Sequence, residues 1–143
     1  MLRHAKSDWS GDEPDHDRPL APRGRRQAPE AGRWLAAEAG PIDLAVVSTA
    51  LRAQQTWALA SAELAVAPDR VDEERAYAAS GRVLATLLEE YADRATVVLV
   101  GHNPGVEDLV HQLTGEWVAL PTSAIAVVDV AAGRLVRSGR PPG

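Results

Sequence analysis

Thr96-Val97-Val98-Leu99-Val100-Gly101-His102-Asn103-Pro104-Gly105 decides the fold, because an apolar run rich in valine gives way at once to glycine, histidine and proline. A short continuous run of this kind fits a strand buried on both faces, as in a parallel sheet. Pro104 suits the first turn of a following helix. Val106, Leu109, Val110 and Leu113 then continue at helical spacing. Upstream, Leu44-Ala45-Val46-Val47 repeats the pattern, with Ser48 or Thr49 as the cap of a helix whose apolar stripe is Ala53, Trp57, Ala60 and Leu64. Ala28, Ala31, Leu35 and Ala39 mark one further helix, and Val83, Leu84, Leu87, Leu88 and Tyr91 another. Ala124–Val130 is a third apolar run, and Arg134–Arg137 a weak edge strand after the Ala132-Gly133 turn. Strands alternating with helices predict an α/β fold, a three-layer α/β/α sandwich around a mostly parallel sheet.

The bulk composition sets limits. A chain of 143 residues with 45% hydrophobic content makes a single domain over 1–143 with a real core. Asp8–Arg26 stands apart as polar and Pro- and Gly-bearing, and reads as a mobile loop leading into the first helix. No apolar run approaches bilayer-spanning length, and the N-terminus lacks the hydrophobic region of a signal peptide, so no membrane partner and a cytoplasmic setting are expected. No cysteine is present, which removes disulfides, thiolate metal sites and a cysteine nucleophile. A net charge of -5 argues against a general nucleic-acid binder. Lys6 is the only lysine among fifteen basic residues, so the position of the arginines has to carry the argument, not their number.

Three positions stand out. Arg3-His4 follows the apolar lead-in Met1-Leu2, Arg52 falls in the first turn after Val47-Ser48-Thr49, and His102 ends the run at Val100. In an open α/β sheet, ligands bind beyond the carboxyl ends of the strands. Helix N-termini there favour an anion. Arginines offer planar, permanently charged donors that match two edges of a phosphate. A histidine whose reacting nitrogen is unprotonated can attack phosphorus and form a covalent intermediate, and a second histidine, if protonated, adds a donor.

Arg3-His4-Ala5-Lys6-Ser7, Leu51-Arg52-Ala53-Gln54-Gln55-Thr56 and Gly101-His102-Asn103-Pro104-Gly105 resemble the motifs of the histidine phosphatase superfamily, branch 1, with its phosphoglycerate mutase-like fold. Asp17-Arg18-Pro19-Leu20 and Pro121-Thr122-Ser123-Ala124-Ile125-Ala126 narrow the resemblance to the SixA-type phosphohistidine phosphatases, over nearly the whole chain. The resemblance implies that His4 is the phosphorylated nucleophile, that Arg3, Arg52 and His102 form the phosphate pocket, with Asn103 beside them, and that the reaction needs no metal or other cofactor. Related enzymes often use an acidic proton donor, for which Glu74 and Glu73 are candidates, beside Asp72. SixA-type members can lack that donor, since a phosphoramidate leaving group departs readily once protonated. Only Met1 and Leu2 precede Arg3, where the family usually carries a longer strand, so either the start is truncated or the first strand is short.

Other residues carry plainer expectations. His16 in the polar loop and His111 on the last helix read as structural or solvated. Lys6 and Ser7 are as readily loop residues as phosphate contacts. Arg23, Arg25 and Arg26 form a solvated basic helix start, or an outer contact for an anionic substrate. Trp57 belongs to a core stripe, whereas Trp9 either lines the pocket mouth or packs the loop, and Asn103 is also a helix cap candidate. Zinc is rejected, because no paired-histidine helix spacing appears and arginines beside the site oppose a cation. The function expected is hydrolysis of a phosphohistidine on a protein. The alternatives are a small-molecule phosphomonoesterase and a non-catalytic phosphate-binding module on the same fold.

Overall fold

The computed structural model describes residues 1–141. Strands β1 (Leu2–Arg3), β2 (Leu44–Ser48), β3 (Asp69–Glu73), β4 (Val97–Gly101), β5 (Ile125–Asp129) and β6 (Arg134–Gly139) form one sheet in the order β3-β2-β4-β1-β5-β6. The first four run parallel, β5 runs antiparallel to β1, and β6 runs antiparallel to β5. Helices α1 (Pro22–Glu38) and α2 (Leu51–Ser61) cover one face; α3 (Gly81–Glu90) and α4 (Gly105–Thr114) cover the other.

The alternation of strand residues produces the three layers. Ala45, Val47, Val98, Val100 and Ile125 join Leu35, Trp57 and Ala60 on one side. Leu44, Val46, Leu99 and Ala126 join Leu84, Leu87, Leu109 and Val110 on the other. Every residue of β2 is buried, as a strand covered on both faces requires. α1 and α2 approach closely because Gly32 lacks a side chain: a Cβ there would sit 2.1 Å from the Ala60 carbonyl oxygen. No helix among the described residues is long and apolar enough to cross a membrane.

Two expectations need correction, and one strand escaped the sequence reading. α1 begins at Pro22, so the last five residues of the Asp8–Arg26 loop are helical. β3 has no apolar run: Asp69-Arg70-Val71-Asp72-Glu73 is an edge strand held by its ladder to β2, so its burial signal is weak. Neither Ser48 nor Thr49 caps α2, whose N-cap residue is Ala50 and makes no side-chain cap. β1 has two residues and is paired on both sides, and His4 N–H donates to Gly101 O at 3.0 Å. Beyond the N-terminal end of β1, an apolar cavity of about 660 Å³ opens between Val97–Val98 and Val127–Asp129, at the pole of the sheet opposite His4.

Candidate active site

The carboxyl ends of neighbouring parallel strands bring His4, Ser48 and His102 together. The two imidazole rings lie 5.1 Å apart between centroids. His4 is buried, and its backbone is gripped from both sides, since Ser123 N–H donates to His4 O at 3.0 Å. Ser123 adopts φ 67°, a left-handed conformation that costs a non-glycine residue free energy and is tolerated where the surroundings demand it. The next residue is anchored as well: Ala5 N–H donates to Thr56 Oγ1 at 3.0 Å, and Thr56 donates to Arg52 O at 2.6 Å. The start of α1 presses against Lys6, where a Cβ on Gly24 would sit 2.0 Å from the Lys6 carbonyl oxygen.

His4 Nδ1 lies 2.8 Å from Ala5 O. A carbonyl only accepts, so Nδ1 carries the proton and Nε2 keeps its lone pair. Burial, reinforced by Arg52, Arg3 and Arg18, lowers the His4 pKa from 6.5 to about 4. Burial and the neighbouring His4 lower that of His102 to about 3. Both rings are therefore neutral at pH 7, and a protonated His102 is not the resting state. His102 Nε2 lies 2.7 Å from Ser48 Oγ, and its Nδ1 is buried without a partner.

Arg3 donates to Leu120 O at 3.0 Å through Nη1. Arg52 is buried and reaches Asp15, through Nη1 to its carbonyl at 2.7 Å and through Nη2 to Oδ2 at 3.0 Å. Arg18, which sequence reasoning did not count among the site residues, is also buried; it bonds Ser7 Oγ and reaches Asp15 Oδ1 at 2.9 Å. The indole of Trp9 covers it, 3.5 Å from ring centroid to guanidinium carbon. The Nε groups of Arg3, Arg18 and Arg52 are buried without hydrogen-bond partners. Tyr77 closes the rim, donating to Asp15 Oδ2 at 2.6 Å and standing edge-on to both His102 and His16. His16 meets Thr49 Oγ1 at 2.9 Å and so is part of this rim. The only sequence signal for Arg18 was its motif with Pro19 and Leu20; Asp15 and Tyr77 gave none.

The remaining candidates lie differently. Glu73 is committed to Arg75, which holds its carboxyl below the usual range, and Glu74 is exposed. Asp72 bonds Arg70 and Gln54 and is likewise lowered. Both amide protons of Asn103 are spent, one on Glu107 Oε1 at 2.7 Å and one on Leu120 O at 2.8 Å. Asn103 thus fixes the loop that receives Arg3, and its donors are not free for phosphate. Lys6 points to solvent, and His111 stacks on Trp117 far along α4. Among the described residues no group of three histidine or carboxylate side chains is arranged to hold a metal. The strand ends thus gather three arginines and two neutral imidazoles, with His4 Nε2 carrying a lone pair and His102 Nδ1 left without a partner.

Comparisons with known proteins identify the family. An uncharacterized protein of Mycobacterium tuberculosis strain H37Rv is 39% identical over 141 residues, covering 91% of this chain and 87% of its own. A Mycobacterium leprae protein is 36% identical over 145 residues, with 91% and 88% covered. A crystal structure described as a phosphohistidine phosphatase SixA of Agrobacterium tumefaciens matches with a TM-score of 0.88 at 30% identity, covering 98% of this chain and 95% of that one. The protein histidine phosphatase SixA complexed with tungstate matches at 0.85 and 25%, covering 98% and 94%. The sequence profile of the histidine phosphatase superfamily (branch 1) matches residues 1–94, and with these relatives it shows that the chain belongs to that superfamily.

Proposed function

We propose that the chain is a phosphatase acting through a covalent phosphohistidine at His4, with a phosphohistidine on a protein as its substrate. The observation that carries this reading is the Nδ1–H bond of His4 to Ala5 O, which leaves Nε2 as an unprotonated nucleophile at neutral pH. Nε2 attacks phosphorus as the bond to the leaving nitrogen breaks. The His4 ring becomes cationic, and the Ala5 carbonyl, already accepting from Nδ1–H, stabilises that charge. Arg3, Arg52 and Arg18 hold the equatorial oxygens. Neutral His102 adds a donor through Nδ1–H when the Ser48 hydroxyl donates to Nε2. Water then attacks phosphorus, the bond to Nε2 breaks, and inorganic phosphate leaves. None of these steps calls on a metal, and the arginines repel one.

The leaving group favours a phosphoramidate over a phosphate ester. Glu73 is an anion tied to Arg75, and a carboxyl held in that state is a poor proton donor. An imidazole leaving group can take its proton from solvent, whereas an alkoxide needs a positioned acid. The test is turnover of a phosphorylated histidine protein and of an aryl phosphate, with chelator, for the native chain and His4→Ala. An acid-labile, alkali-stable phosphoryl label should be trapped on the native chain only. Preference for sugar phosphates would select the small-molecule reading. Phosphate binding by a folded chain without turnover or label would select the binding module.

A further inference from the structure

We propose that Asp15 is the positioning residue of the phosphate pocket: its carboxylate fixes the planes of Arg18 and Arg52 and makes Arg18 a phosphate ligand. The proposal rests on the phosphatase reading above and adds a residue to the same site. Both terminal nitrogens of Arg52 end on Asp15, one on its side chain and one on its carbonyl. Arg18 ends on Asp15 and Ser7. A guanidinium is planar, so two fixed nitrogens fix its orientation. Each has five N–H donors and spends two here, which leaves three unspent, among them an Nε that is buried and unpartnered in both residues. Both guanidinium groups share Asp15 with Tyr77, whose ring lies 5.6 Å from that of His102 between centroids, and His102 in turn lies 5.1 Å from His4, so this cluster borders the nucleophile.

The loop that carries Asp15 is itself held. Ser7 bridges to Leu20, Asp8 N–H donates to Pro19 O at 2.8 Å, and Leu20 N–H donates to Gln55 Oε1 at 2.8 Å. Tyr77 adds a third donor to the same carboxylate from the far rim. These contacts keep Asp15 ionised, Tyr77 and the two arginines all pulling its pKa below the usual carboxylate range. A pocket of like charges has to be held open before its ligand arrives, and a resident counter-charge on the outer nitrogens does that without occupying the inner edges. Donors oriented beforehand lose less on binding.

The experiment measures binding of inorganic phosphate by titration calorimetry, and kcat and KM with an aryl phosphate, for the full chain. The variants are Asp15→Asn, Asp15→Glu, Arg18→Gln and Asp15→Asn/Arg18→Gln, each checked by circular dichroism. Loss of one or two charge-assisted contacts predicts phosphate binding weaker by about ten- to a hundredfold in Asp15→Asn, with KM raised and kcat lowered. Asp15→Glu should recover part of it. The double variant should lose less than the product of the single losses, because both act through one contact. Tighter phosphate binding by Asp15→Asn would overturn the proposal, since it would make the carboxylate a competitor of phosphate. Unchanged binding, or losses that multiply in full, would also overturn it. If Asp15→Asn does not fold, unchanged phosphate binding by Arg18→Gln overturns it and weakened binding supports it. Phosphate binding with the predicted pattern but no turnover would sink the phosphatase reading and leave this one standing.

Discussion

Lowering the pH from 7 to 5 should destabilise the ligand-free chain through its own active site. His4 and His102 are buried and bind protons weakly, at about 4 and about 3 against an ordinary 6.5. In that interval the unfolded chain takes up a proton on each imidazole and the folded chain does not. Stability is therefore full above pH 6.5 and falls as the pH drops towards the folded values. At about 1.4 kcal/mol per pH unit, each histidine costs about 2 kcal/mol by pH 5 and the pair about 4 kcal/mol. The Met1 amine, pushed by burial from 8.0 to about 5, acts in the same direction, so the comparison between variants is the readout. Urea unfolding of the native chain, His4→Gln, His102→Gln and the double variant, at both pH values in phosphate-free buffer, measures it. Each single variant should lose about half of the histidine share. If the double variant lost as much stability between pH 7 and 5 as the native chain, the buried neutral pair would be refuted.

Other substitutions test the scaffold. Thr56→Val leaves the buried Ala5 N–H unpaired and should cost about 1–3 kcal/mol in urea unfolding. Gly24→Ala drives a methyl into the Lys6 carbonyl, so it should lower the melting temperature and abolish the phosphoryl label on His4 together. Ala78→Gly relieves a left-handed residue at φ 53° and should stabilise the chain by about 1 kcal/mol; a lower midpoint would show that the neighbours of Ala78 do not impose this conformation.

The sequence shows the fold wherever burial leaves a pattern. Leu44–Val47 and Val97–Val100 are continuous apolar runs because both faces of their strands are covered, and the stripes through Ala31, Leu35, Trp57 and Leu109 show where the covering helices lie. β3 left no such trace, since an exposed edge strand is stabilised by its ladder to β2 and not by apolar side chains. The same distinction runs through the site. Arg3, His4, Arg52 and His102 follow the ends of strands or the first turn of a helix, so hydropathy locates them. Asp15, Arg18 and Tyr77 come from loops and short turns whose composition is that of any solvated segment. What makes them part of the site is a set of contacts between residues up to 62 positions apart, which no local pattern encodes.

The charge balance around His4 explains why the pocket is built at a cost in stability. Burial, reinforced by three arginines, depresses its proton affinity, so the ring is neutral with Nε2 free. A bound phosphoryl group brings negative charge to the same donors and offsets the field that suppressed protonation. The ring can then become cationic as Nε2 bonds to phosphorus, with the Ala5 carbonyl facing the charged Nδ1–H. In the proposed reaction the arrangement thus disfavours positive charge on His4 before the substrate binds and favours it as the P–N bond forms. Stabilisation confined to the reacting complex is what raises the rate of the chemical step. A lone arginine would bring less of this field, and a pocket neutralised at its inner edges would have no spare donors. Placing Asp15 on the outer nitrogens of Arg18 and Arg52 keeps both the field at His4 and the donors that relieve it.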